Sequence, residues 1–196
     1  MRKTRKSGKL VNGVGINDAD YSVTSTINGI RKLCPFYLAW RGMLQRAYCD
    51  NWSKKYPTYK ECSVIDEWLV FSNFKSWMET QDWEGRVLDK DILFNGNKIY
   101  GHDTCVFVDH YTNTFMLDCC KTRGEYPIGV YFHRGKFVSK IRDNSRKQIH
   151  LGRFSTPEEA HSVWYKKKRE LAIILASKQS DSRVADALIK RFSTGE

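Results

Sequence analysis

The chain has 196 residues, 41% of them hydrophobic and 13% aromatic, and a formal charge of +11. That is enough apolar material for one ordinary domain or two small ones, and no run approaches the roughly 18 apolar residues of a membrane span. The basic start MRKTRKSGK has no apolar segment behind it, which argues against a secretory signal, so a soluble, intracellular protein is expected with no membrane partner.

The charge is unevenly placed. Residues 1–9 carry Arg2, Lys3, Arg5, Lys6 and Lys9 and no acid. Residues 121–196 carry 17 Lys/Arg against 8 Asp/Glu, whereas residues 10–120 carry 11 against 14. A basic arm and a basic C-terminal part attract polyanions by releasing their counterions, which points to nucleic acid. The six cysteines (34, 49, 62, 105, 119 and 120) form no CxxC pair, so no structural zinc site is expected.

In chain order, residues 10–30 read as loops with one short strand; their glycines do not make a dinucleotide fingerprint. From Phe36 the pattern becomes helical, with Phe36, Trp40, Met43, Leu44 and Ala47 on one face and Pro35 in the first turn. A second helix is expected from Asp66, as N-cap, to Met78, burying Trp68, Phe71, Phe74, Trp77 and Met78. Val87-Leu88 and TCVFV (104–108) read as short strands. The polar stretch DCCKTRGEYP (118–127) suggests a domain boundary. Three strands follow, IGVYF, KFVSKIR and QIHLGRF, separated by turns rich in Gly, Asn and Asp. In the middle strand, Phe137, Ser139 and Ile141 face one side, and Lys136, Val138, Lys140 and Arg142 the other. Thr156 and Glu159 form a capping box before a helix striped with Ala160, Val163, Trp164, Leu171, Ile174 and Leu175. A last helix is expected from Arg183 to Phe192.

Residues 128–160 resemble the ethylene-response-factor (APETALA-two) DNA-binding domain. The likeness rests on Gly129-Val130, Gly135-Lys136-Phe137, Ile141-Arg142-Asp143, Leu151-Gly152, Phe154, Thr156, Glu158, Glu159 and Ala160. It implies a three-stranded antiparallel sheet packed on a helix, laid in the major groove of duplex DNA. By position, Tyr131, His133, Lys136, Lys140, Arg142 and His150 would face the DNA. Phe137 stands in the place of a usual Trp, and Arg134 and Arg146 lie in turns within reach of phosphates. Several family arginines are Tyr or His here, so base preference does not transfer.

Upstream, VLDKDILFNGNKIYGHDTCVFVDHYTN, with PFYLAWRGMLQRAY, PTYKECSVIDEW and FSNFKSWM before it, resembles HNH homing endonucleases of tailed phages. The resemblance implies an α+β chain with four parts. These are a basic arm (1–12), an HNH-like, ββα-metal related domain (13–120), the ethylene-response-factor-like domain (121–177) and a C-terminal helix (178–196). It implies Mg²⁺ or Mn²⁺ held by Asp89 and Asn113 if the site is active, and the cytoplasm of a bacterial host. Lys90 occupies the place of the general-base His. An ordinary lysine is protonated at neutral pH and cannot take a proton unless burial lowers its basicity. Asp91, His102 and His110 are substitutes, with Tyr100 and Tyr111 behind them. The alternatives are a catalytically inactive DNA-binding regulator or host-directed phage factor, and a factor that meets a host protein partner through its basic surface.

Overall fold

The computed structural model describes residues 8–117 and 124–193, a mixed α+β chain of two compact units, Met1–Asp109 and His110–Glu196. Arg2, Lys3, Arg5 and Lys6 of the basic arm, and Cys119 and Cys120, lie outside the described residues. No helix among the described residues is long and apolar enough to cross a membrane.

The first unit opens with a hairpin of β1 (Thr24–Ile27) and β2 (Ile30–Leu33). Asn28 and Gly29 both have positive φ, 51° and 74°, the type I′ geometry that matches strand twist and favours Asn-Gly. Helix α1 (Pro35–Tyr48) buries Trp40, Met43 and Leu44, as the spacing predicts. A short α2 (Asp50–Lys55) follows, then β3 (Ser63–Val64).

The helix expected over 66–78 is divided. Asp66–Leu69 is a 3-10 turn, Val70 is extended, and α3 runs over Phe71–Glu79. The break has a local cause: Ile16 N–H donates to Leu69 O (2.8 Å) and Phe71 N–H to Ile16 O (3.0 Å), so a passing chain takes backbone groups that a continuous helix needs. Asp66 therefore does not cap α3; Asp18 Oδ1 accepts from Ser72 N–H (2.9 Å) near its start.

Strands β4 (Val87–Asp89) and β6 (Val106–Val108) pair antiparallel, while β5 (Ile99–Tyr100) pairs parallel with β3. The core of this unit joins Trp40, Trp68, Phe71, Phe74 and Met78 to Tyr100, Cys105 and Phe107. Trp40 Nε1 donates to Trp68 O at 2.7 Å, which satisfies the one polar atom of that buried indole.

The second unit starts with α4 (His110–Phe115), upstream of the expected boundary near residue 120. The tether is specific. Tyr111 Oη donates to Asp143 O (3.1 Å), Lys168 Nζ donates to Phe115 O (2.8 Å), and the Phe115 ring lies 5.4 Å from that of Phe192. Three antiparallel strands follow in the order β7 (Val130–His133), β8 (Lys136–Arg142), β9 (Gln148–Phe154).

Helix α5 (Pro157–Ala176) packs on all three strands, and α6 (Ser182–Ser193) packs on α5. The capping box forms as expected: Glu159 N–H donates to Thr156 Oγ1 (3.2 Å), and Thr156 N–H to Glu159 Oε2 (3.3 Å). The buried stripe of α5 is Ala160, Trp164, Lys168, Leu171, Ala172, Leu175 and Ala176. Ile174, expected in it, is exposed, because the stripe follows i, i+4 steps through Lys168. The Lys168 ammonium lies 3.2 Å from the Phe115 ring centre, with Trp164 and Phe192 farther out, so a buried cation is faced by aromatic rings.

Candidate nucleic-acid interface

The register of the second unit's sheet sorts its side chains. Tyr131 pairs with Val138 and Val138 with Arg153; His133 pairs with Lys136; Lys140 pairs with His150; Arg142 pairs with Gln148. Cross-strand partners point the same way, so these nine residues share one face, and none is acidic. The other face holds Ser139 and Ile141, both buried, on the side that α5 covers. Seven of the nine are exposed, Lys140 is half-buried, and Val138 is buried between Tyr131 and Arg153. The Lys140 ammonium lies 5.0 Å from the Tyr131 ring centre, which holds a cation in the middle of the face.

Arg153 and Gln148 were not among the expected contacts; Gln148 joins His150 by simple alternation, whereas Arg153 reaches the face through a bulge. Between the pairs Ser139↔Gly152 and Lys140↔His150, Leu151 is an extra residue in β9. Strict alternation would put His150 and Arg153 on opposite faces; the bulge puts both on the open one. Gly152, at φ 143°, provides the backbone this needs. Arg153 Nη2 also donates to Arg134 O (3.2 Å) and His133 O (3.4 Å), which fixes it beside the first turn.

Phe137 requires a correction. It pairs with Phe132 and Phe154, on the face opposite Lys140 and Arg142. Its ring packs 5.0 Å from Phe132 and 5.2 Å from Tyr126, so its place is in packing and not on the open face.

The turns present the remaining cations. Arg134 (φ 48°) and Gly135 (φ 74°) form a type I′ turn, and Arg146 (φ 65°) sits in the next loop. In that loop Asp143 Oδ1 accepts from Ser145 Oγ (2.7 Å), Ser145 N–H (2.9 Å) and Lys147 N–H (2.9 Å). These bonds, Ser145 foremost, hold its carboxyl below the usual range. The acid beside Arg142 thus serves the turn.

The expected catalytic residues occupy different settings. Asp89 ends β4, and its Oδ1 accepts from Asp91 N–H (2.6 Å) and Ile92 N–H (2.8 Å), closing a turn. Burial pushes its carboxyl up, and these two backbone bonds pull against that. Lys90 is buried at 4% exposure; its Nζ donates to Asp91 Oδ1 (2.5 Å) and Asn97 O (2.6 Å) and lies 5.8 Å from the Tyr100 ring centre. Asn97 Nδ2 returns a bond to Lys90 O (2.8 Å). Tyr100 Oη accepts from Arg46 Nε (3.0 Å), and burial pushes that phenol up. Burial likewise pushes the Cys105 thiol up to about 12.

His102 lies at the surface, its ring nitrogens 3.3 Å from Glu67 Oε2 and 3.3 Å from Asp103 Oδ2, so neither faces Asp89 or Lys90. His110 and Asn113 belong to α4 of the second unit, where His110 borders a cleft of 530 Å³ with Lys140, Arg142 and Arg146. Among the described residues, no group of three or more His, Cys, Asp or Glu is placed to hold a metal. In the first unit, Asp89 Oδ1 serves two backbone donors and Asp91 is paired with a buried ammonium.

That arrangement has a measurable consequence. Asp89→Asn keeps an oxygen for both N–H groups and leaves stability within about 0.5 kcal/mol at pH 7, whereas Asp89→Ala strands both and costs about 2 kcal/mol by urea unfolding. With its folded-state carboxyl raised, Asp89 weakens the fold as pH climbs from the unfolded value through the folded one. The Asn variant lacks that decline.

No protein-family model matches the chain, and no curated protein or solved structure is similar enough to it to be matched.

Proposed function

We propose that this protein binds duplex DNA through the open face of the β7–β8–β9 sheet. The observation that carries the reading is that face: Lys136, Lys140, Arg142 and Arg153, with Tyr131, His133 and His150 among them, and no carboxylate. A small sheet of this kind fits the major groove, where Arg and Lys reach guanine edges and phosphates, and His and Tyr add hydrogen bonds. The turn arginines Arg134 and Arg146 flank the face and contact the backbone. The Asp89–Asp91 segment supports the first unit as a hydrogen-bonded turn, and the chain acts as a binding protein. A mobility shift with duplex and single-stranded DNA of the same sequence tests this: duplex is retarded at lower protein concentration. Equal retardation, or none with duplex, refutes it. The same preparation leaves supercoiled plasmid intact in Mg²⁺ or Mn²⁺; nicking that disappears in Asp89→Asn would restore the metal site.

A further inference from the structure

We propose that the β1–β2 hairpin is a second DNA contact, a ribbon that enters the minor groove and wedges its Ile27–Ile30 tip against a base step. The inference rests on the duplex-DNA reading above and extends it to the first unit. A two-stranded ribbon buries little and is marginal alone, so large apolar residues at its tip need a reason. Ile27 and Ile30 pair across the strands next to the turn, and they are 51% and 62% exposed. Only Thr24 and Leu33, at the other end, are partly buried.

The register sets the polar groups. Ser25 and Lys32 share the face of the isoleucine pair, and Thr26 and Arg31 the opposite face. A cation therefore stands on each side of the ribbon, Arg31 one residue and Lys32 two residues behind an apolar tip. From Tyr21 to Leu33 there is no Asp or Glu. Charge of this sign on both faces complements the two phosphate walls of a groove, and exposed β-branched residues between them match the apolar wedges that unstack a base step and bend DNA. A protein partner would call for a broader apolar patch than two side chains.

The test uses the full chain and the variant Ile27→Thr/Ile30→Thr. Threonine keeps the β-branched shape that holds a strand and removes the apolar surface. Ligase closes linear duplexes of about 150 base pairs, near one persistence length, into circles, and a protein that bends DNA raises the yield without needing a known target. The wild type raises circle yield over DNA alone; the Thr variant, still shifting duplex within about threefold of the wild-type concentration, does not. Equal yields from the two proteins, or no gain from the wild type, overturn the ribbon and leave the sheet reading standing. Failure of the wild type to bind duplex at all removes both.

Discussion

Gly129→Ala lowers the stability of the second unit by about 3 kcal/mol, read as a shift in urea midpoint. Two costs coincide at this position. Gly129 has φ 81°, a conformation that an L-residue with a Cβ resists. An added methyl would also overlap the indole of Trp164, the largest buried side chain on α5. Neither side can yield freely, because the Gly129 carbonyl accepts from Lys140 N–H (2.9 Å) and Trp164 stacks on His161 with centroids 5.5 Å apart. Gly135→Ala provides the comparison. It has φ 74° and nothing within 4 Å of an added methyl, so it pays only for backbone strain, about 1 kcal/mol. If the two variants cost the same, helix–sheet packing at Gly129 is not what the structure describes.

Lys140→Ala/Arg142→Ala weakens duplex binding by about 100-fold at moderate salt, with the fold retained. Both residues lie in β8, the central strand, and pair with His150 and Gln148 of β9, so their side chains project from a hydrogen-bonded ladder. Lys140 is further held over Tyr131, which reduces the freedom it loses on binding. Arg142 is exposed, and the neighbouring Asp143 directs its Oδ1 to Ser145 and the Lys147 N–H, which leaves the guanidinium for a base edge or phosphate. The reduction is measured by fluorescence anisotropy on labelled duplex, with urea unfolding as the check on folding. A double variant that binds like the wild type would move the interface off this sheet.

Much of the second unit is legible in the sequence because its signals are local. Thr156, Pro157 and Glu159 specify the start of α5 within four residues, and the strands are marked by alternation and by turns that need Gly or Asn. What escapes is what depends on distant chain. Ile16 divides the helix at Val70, and no local pattern records that. The Leu151 bulge brings Arg153 onto the open face against simple alternation, and only the pairing of β8 with β9 shows it. The β1–β2 hairpin did carry a signal, the Asn28-Gly29 pair, which a reading of residues 10–30 as mainly loop passes over.

The opposite problem arises at Asp89–Asp91. Two carboxylates about a lysine suggest catalysis when read as a string. In the fold, Asp89 closes a turn, while Lys90 is buried and tied to Asp91 and Asn97. Residue type was legible there and environment was not, because burial of Lys90 depends on Tyr100 and Asn97 folding over it.

The central claim is that a carboxylate-free sheet face binds duplex DNA through its cations, and salt dependence tests it most directly. Duplex affinity of the full chain, measured by anisotropy across a series of salt concentrations, gives a slope of log K against log salt. Four face cations and the two turn arginines engaging phosphates predict a slope of about −5, smaller in magnitude by about 2 in Lys140→Ala/Arg142→Ala. A slope near zero, or the same slope in both proteins, would contradict it.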